Sequence, residues 1–445
     1  MIELPPGFLF GASTAAFQIE GGALADGKGA SIWDRFCHLP GKVAGGDTGD
    51  VACDHYHRFE EDLDLMAAAG LTAYRFSISW PRIFPTGTGA INEAGLAFYD
   101  RLVDGCLARG IAPWPCFYHW DLPQALQDHG GWSSRDSIDW YLGYVEAVVR
   151  RLDQRVSNWI MFNEPSIFTS LGYLLGVHAP GVVDPSAYGA AVHHVSLATA
   201  EGMRLVRRLT PEARVGTVFA VNGVEPATPS AADQVAALRA DAIMNRSFLE
   251  PLFHGRYPRE IDAMVAPFIA GGDLLRIREE PDFVGLNHYT RARISAASAV
   301  AGGNGATAGG GLGMASPSLG TSVTAMGWEI RPEGIYEALF RLRRDYTSAP
   351  IYVTENGGAF ADVQGPDGTI DDQDRIALLQ GYIGEIARAC RDGVDVRGYM
   401  VWSLLDNFEW AHGYAKRFGI IHVDYQTLRR TPKASYHWYA SLAKA

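Results

Sequence analysis

The sequence predicts a single (β/α)8 TIM barrel with extended βα loops, running as one catalytic domain over residues 1–445. Three observations carry that prediction. Eight short runs, most of them apolar nearly throughout, recur along the chain; a helix-like pattern follows each; and only one segment has the composition of a linker. Strands covered on both faces lose the alternation of a half-exposed strand. Runs of this kind that alternate with helices form a parallel sheet, and eight such units close it into a barrel.

The first run, "FLFGAST" (8–14), leads to "RFEEDLDLMAAAG" (58–70), where Phe59, Leu63 and Met66 recur at helical spacing and Gly70 ends the pattern. The second, "YRFSISW" (74–80), precedes "NEAGLAFYDRLVDGCLARG" (92–110), which opens on an expected Asn cap and closes on Gly110. The third, "IAPWPCF" (111–117), precedes a pattern over 133–152 that starts at an expected serine cap. Runs four to seven are "NWIMF" (158–162), "RVGTVFA" (214–220), "DFVGLN" (282–287) and "PIYVT" (350–354), with helical stretches near 190–209, 231–250, 332–346 and 372–391. The eighth, "GYMVWSL" (398–404), precedes "TPKASYHWYASLAKA" (431–445), read with Pro432 at the first helical position. The linker-like segment, 296–320, is rich in Gly, Ala and Ser. Splitting the chain there would leave two incomplete barrels, so it is read as a long loop over the barrel mouth.

Composition excludes several partners. The chain is 47% hydrophobic with a formal net charge of −12, which argues against nucleic acid or an anionic membrane as partner. No apolar run is long enough to span a bilayer, and "MIELPPGFLFGAS" lacks the basic and apolar regions of a secretory signal. Five cysteines form no CxxC pair and are odd in number, as expected of reduced thiols in a cytoplasmic protein. The expected partner is a small molecule, with no cofactor. Oligomeric state leaves no signal, and a homo-oligomer stays open.

Active sites of such barrels lie at the C-terminal ends of the strands. There the sequence places Gln18 after run one, His119, Trp120 and Asp121 after run three, and Asn163 and Glu164 after run four. Asn287 and Tyr289 follow run six, Glu355 and Asn356 run seven, and Trp402, Asp406, Glu409 and Trp410 belong to run eight and its loop. Two glutamates among amides, a histidine and aromatics suit a polyhydroxylated ligand, and no metal set is evident. Strands four and seven lie roughly opposite, so Glu164 and Glu355 can face one ligand. Two carboxylates flanking one bond are the machinery of glycoside hydrolysis. Arg75 stands inside an apolar run, where an unpaired guanidinium is costly; Glu355 is its expected partner, and the cation keeps that carboxylate ionised.

"FNEP", "VTENG", "FGASTAAFQIEGG", "YRFSISWPRI", "YHWDLPQAL", "NHYTR" and "WSLLDNFEWAHGY" occur in order along nearly the whole chain. Together they make it resemble glycoside hydrolase family 1, the β-glucosidase family. The resemblance implies a retaining β-glucosidase, with activity on β-galactosides and β-fucosides, that takes β-glucosides and cello-oligosaccharides. It makes Glu355 the nucleophile and Glu164 the general acid/base, with carboxyls roughly 5–5.5 Å apart. The like charge of Glu355 is expected to raise the Glu164 pKa to roughly 6–7. Gln18 and Glu409 then grip the far hydroxyls, and His119 and Asn163 those nearer the reacting carbon. Tyr289 stands beside Glu355, Trp402 under the sugar and Trp410 on the floor, while Trp328 lines the leaving-group side.

Two rival chemistries have sequence features behind them. A 6-phospho-β-glycosidase of the same family would carry a small residue in place of Glu409, whose charge is expected to repel phosphate, and Tyr in place of Phe418; only Lys416 fits that branch. A metal-dependent barrel hydrolase would use "DHYHR" (54–58), but no further ligands complete the site. "GALADGKGAS" (22–31) resembles a P-loop yet has Gly29 where Ser or Thr would meet magnesium. Met161 and His288 depart from the family pattern, and His288 is placed on the leaving-group side.

Overall fold

The computed structural model describes residues 2–297, 315 and 320–445. Each of the eight apolar runs becomes a strand: β1 (Leu9–Ser13), β2 (Ala73–Ser77), β3 (Ala112–Tyr118), β4 (Asn158–Asn163), β5 (Arg214–Ala220), β6 (Phe283–Asn287), β7 (Ile351–Asn356) and β8 (Val396–Val401). They pair in parallel, each with its sequence neighbours, and β8 pairs with β1 to close the barrel. Helices over His55–Ala68, Glu93–Ala108, Ser137–Leu152, Pro185–Leu209, Glu333–Asp345, Gln373–Arg391 and Ala434–Ala443 pack outside. Between β5 and β6 a helix at Ala231–Asp241 runs through one π turn into a second at Ser247–His254. None of the described helices is long and apolar enough to cross a membrane. Of the linker-like segment 296–320, residues 298–314 and 316–319 lie outside the described residues.

Three expected helix starts differ. Asn92 sits at its helix's cap position, but its side chain donates to the carbonyls of Asp26 and Arg82. The third helix begins at Ser137 after Asp136, with no side-chain cap. Pro432 ends a short strand, Arg430–Pro432, rather than starting the last helix.

The barrel interior is plugged from below. Ala73, Trp114, Cys116, Ile160, Val218, Phe283, Tyr352 and Met400 make a buried cluster of their own, with the Trp114 ring 4.8 Å from Tyr352 and 5.1 Å from Phe283. Arg75, two residues beyond Ala73, faces the same interior by the strand period of two. Such a floor lets ligand enter from the C-terminal end only.

Strands β4 and β7 break that period at their C-terminal ends. From Leu286 to Asn287 on β6, the partner on β7 moves from Val353 to Glu355, and from Tyr399 to Val401 on β8 it moves from Val353 to Asn356. The partner on β4 likewise moves from Ile160 to Asn163 while β5 advances from Gly216 to Val218. Each strand therefore carries one extra residue there, a bulge that re-aims the following side chain. Tyr352 and Ile160 belong to the floor cluster, and Asn163 and Glu355 stand three residues after them. A regular strand would turn those two outward; the bulges turn them in.

Candidate active site

The C-terminal ends of the strands open on one pocket. Of the seventeen residues the sequence placed at or beside the site, eleven line it: His119, Trp120, Asn163, Glu164, Tyr289, Trp328, Glu355, Trp402, Glu409, Trp410 and Phe418; Asp121, Asn356 and Asp406 do not. Arg75, Asn287 and Gln18 stand behind that lining and bond to it or to its neighbours.

Glu355 is the penultimate residue of β7 and is 3% exposed. Arg75 Nη1 donates to its Oε1, as expected, and Tyr289 Oη donates to its Oε2 at 2.7 Å. Burial and the nearby Glu355 carboxylate push the Tyr289 phenol well above its usual range, so it remains a donor. With a guanidinium on one oxygen and a phenol on the other, this carboxyl is fixed in orientation beside a positive charge.

Glu164 follows β4 in a left-handed conformation, φ +47°, ahead of Pro165. Asn287 Nδ2 donates to its Oε1 at 2.8 Å. Its pKa is raised to about 8, by burial first and by the Glu355 charge second. The sequence reading credited the like charge; desolvation in the closed pocket is the larger cause. Near neutral pH Glu164 is therefore suited to donate a proton, while Glu355 faces the Arg75 guanidinium.

A hydrogen-bond chain joins the two acids. Arg75 Nη2 donates to Asn163 Oδ1 at 2.5 Å, and Asn287 Nδ2 donates to the same oxygen at 3.0 Å as well as to Glu164. Thr354 Oγ1, the extra residue of the β7 bulge, donates to Asn287 Oδ1 at 2.7 Å. These bonds settle both amide orientations, so Asn163 Nδ2 donates to His119 Nε2 at 2.9 Å. His119 then carries its proton on Nδ1, which has no protein partner. Burial, aided by Arg75, holds its pKa well below the usual value, leaving a neutral imidazole with a spare donor.

The remaining surface is aromatic. Trp410 lies 4.6 Å from Trp120 and 4.7 Å from Trp33, and His119 is 5.9 Å from both Trp402 and Trp410. Trp328 packs at a tilt against Tyr289 and Phe418, with ring centroids 5.3 and 6.0 Å away. Gln18 Nε2 donates to Asn407 Oδ1 and the Phe408 carbonyl, beside Glu409. Glu409 Oε2 and Gln18 Oε1 have no protein partner. Trp120 (φ +82°), Glu164 (+47°) and Trp410 (+47°) are three of seven non-glycine residues with positive φ among the described residues. Each such conformation costs about 1–3 kcal/mol and collects where function requires it.

Several expectations change. Burial and the Glu355 charge raise the Glu409 pKa to about 8, which weakens the repulsion of phosphate expected of it. The phosphate reading fails on another ground: Lys416 Nζ donates to the Ala325 carbonyl at 2.5 Å and does not line the pocket. His288 is not on the leaving-group side. Its ring is fully buried, with Nδ1 against the Val221 carbonyl, and burial lowers its pKa to about 4. The backbone carbonyl of Met161 accepts from Tyr141, on the helix side of β4. His55 and His57 each pair with an aspartate, Asp62 and Asp54, and no described residues form a group of three or more metal ligands. Lys28 pairs with Asp34 at 2.7 Å, so the P-loop-like stretch is a structural loop.

Sequence reasoning missed Ile167, Leu171, His178, Asn222, Met244, Met326 and His412, which also line the pocket. Asn222 stands two residues after β5 and the strand-end rule could have found it; most of the others lie on helices and loops farther along, where no local signal marks them. Of these others His178 alone had one, a histidine in a Gly- and Pro-rich turn; its ring packs 5.3 Å from Trp33 and 5.8 Å from Trp120.

The comparisons agree with this geometry. The family model described as glycosyl hydrolase family 1 matches residues 1–445. A β-glucosidase A of Thermotoga maritima is 44% identical over 99% of this chain and 98% of its own length. A 1,4-β-D-glucan glucohydrolase of Thermotoga neapolitana is 44% identical over 100% and 99%. The solved structure of the T. maritima family 1 β-glucosidase with isofagomine lactam superposes with a TM-score of 0.93, at 44% identity, covering 100% of this chain and 99% of that one.

Proposed function

The chain belongs to glycosyl hydrolase family 1, and from that membership we infer that it is a retaining β-glucosidase working by double displacement. Glu355 attacks the anomeric carbon while Glu164 protonates the departing oxygen. A covalent glycosyl–enzyme results, and Glu164, now ionised, draws a proton from water that attacks the same carbon. One observation carries the reading: two carboxyls share one pocket in unlike surroundings, Glu355 gripped by Arg75 and Tyr289, Glu164 bonded to the Asn287 amide with its pKa raised to about 8, by burial first.

The other roles follow from what each side chain has to spare. His119 Nδ1 and the unpartnered oxygens of Gln18 and Glu409 are offered to sugar hydroxyls. Trp402, Trp410 and Trp120 give the glycone a stacking floor, and Trp328 a wall toward the leaving group. Asn163 and Asn287 hold both acids in register, and Phe418 leaves an apolar wall where a phosphate would need donors. The substrates are terminal non-reducing β-D-glucosyl residues of β-glucosides and cello-oligosaccharides, with β-galactosides and β-fucosides alongside. That places the enzyme at the last step of cellulose and related polysaccharide breakdown. Four of the five free cysteines are buried, which suits a reducing cytoplasm, and residues 1–445 act as one catalytic domain.

Proton NMR during hydrolysis of an aryl β-glucoside tests this directly. The first-formed sugar is the β-anomer; release of the α-anomer first would mean a single displacement and sink the proposal.

A further inference from the structure

Behind the sugar pocket lies a buried ion cluster that the chemistry above does not use. Asp362, Asp372 and Asp406 have side chains no more than 2% exposed. Lys433 Nζ, itself fully buried, bonds Asp362 at 2.5 Å and Asp406 Oδ1 at 2.7 Å. Arg375 bonds Asp362 at 3.1 Å and also Asp372, which accepts from Ser435 at the start of the last helix. Arg417 Nη1 bonds Asp406 Oδ2 at 2.7 Å. Three carboxylates thus meet three cations, and their formal charges cancel.

Asp406 sits inside the segment that builds one side of the pocket. Four residues before it is Trp402, and Asn407 next to it accepts from Gln18. Glu409 and Trp410 follow. On its other side Arg417 and the backbone N–H of Gly419 both donate to Asp406, and Phe418 stands between them. Arg375 Nη2 holds the Arg417 carbonyl at 2.8 Å, and Ser403 N–H bonds the Phe418 carbonyl at 3.3 Å. The pocket-lining segment is therefore folded around a single carboxylate, whose buried counter-ion comes from the far C-terminal end of the chain.

We propose that this cluster is a positioning device for the sugar pocket, with Lys433 as its positioning residue. Through Asp406, Lys433 fixes where Glu409, Trp410 and Phe418 meet the sugar. The proposal rests on the reading of Glu409 as the contact to the far hydroxyls. A buried carboxylate deprived of its partner relaxes toward water or takes up a proton, and in either case the loop built on it shifts. The acids at the reaction centre are held by other partners, Arg75, Tyr289 and Asn287, and stay in place. The loss then falls on recognition of the hydroxyls that Glu409 reaches.

The test uses Lys433→Met and the charge-balanced pair Lys433→Met with Asp362→Asn, each assayed on nitrophenyl β-glucoside and its 4-deoxy analogue. Active sites are first counted with a 2-deoxy-2-fluoro glucoside, so that misfolded protein does not enter the rates. Expected for Lys433→Met is a loss of about 30-fold in kcat/KM on the glucoside, mostly through KM, against a loss under about fivefold on the deoxy substrate. In the balanced pair Asp406 still lacks Lys433, so the selective loss is expected to persist; its recovery would assign the effect to net charge and overturn the positioning role. Equal losses on both substrates per counted site, or no loss at all, would overturn the proposal. Should Lys433→Met yield no countable sites, the partly exposed Arg417→Met reads the same link by the same ratio: a selective loss supports the proposal and an equal one overturns it. Failure of the underlying function reading would look different, since the unaltered enzyme would then not be labelled by the fluoro sugar.

Discussion

Glu164 and Glu355 are the same residue type at matching places on two strands, and their neighbours alone drive them apart. Glu355 has a guanidinium and a phenol; Glu164 has one amide and a desolvated pocket that raises its pKa to about 8. The acid form is the active form in the first step, and a raised pKa keeps it populated to higher pH. The free-enzyme kcat/KM is therefore expected to hold through neutral pH and to fall as pH rises through about 8. Because Glu409 is raised to about 8 as well, the same profile on Glu409→Gln separates them: the limb persists if Glu164 sets it and disappears if Glu409 does. Glu164→Ala is expected to slow alkyl glucosides by about 10²–10⁴-fold and nitrophenyl glucosides less, with azide restoring the second step. Uniform losses and no azide effect would remove Glu164 from its role. Glu355 was legible in the sequence because a carboxylate closing an apolar run is costly, and Arg75 because a cation inside another run needs that partner. The rise at Glu164 was legible in direction only, since the sequence showed the like charge but not how completely the pocket closes.

At the level of elements, all eight strands were readable because helices cover the outer face and the barrel's own core the inner one, which leaves them nearly uniform in apolar character. The same uniformity hid the bulges. Nothing in "IYVTENGG" or "NWIMFNEPS" shows that Thr354 is an extra residue on β7, or that β4 gains one between Ile160 and Asn163. Register is a property of pairs of strands, and strict alternation from Tyr352 would have turned Glu355 outward. Caps misled for a similar reason: Asn92 found a better use bridging two distant carbonyls. The end of β7 also touches the end of β8, where a Cβ on Gly357 would lie 1.9 Å from the Trp402 carbonyl oxygen. Gly357→Ala is accordingly expected to cost about 1–3 kcal/mol of stability and to displace Trp402 beneath the sugar. Thermal unfolding and kcat/KM measured together check it, and unchanged values in both would show that the two strand ends are not in tight contact.

For the molecule as a whole, strand order and closure followed from counting βα units, and the pocket followed from where such barrels hold their chemistry. Eleven of the seventeen expected residues line it, whereas Met244 and Met326 escaped notice because tertiary folding alone brings them to the mouth. Two carboxyls complete the proposed reaction, so EDTA is expected to leave hydrolysis unchanged; loss on chelation with recovery on adding metal would favour the metal-dependent alternative. The central claim is that Glu355 forms a covalent bond to the sugar. Inactivating the enzyme with a 2-deoxy-2-fluoro β-glucoside, digesting it and sequencing the labelled peptide by mass spectrometry tests this most directly. The account predicts one sugar per chain, attached at Glu355 within "IYVTENGG". A label on any other residue, or an intact and unlabelled Glu355 in the inactivated enzyme, would contradict it.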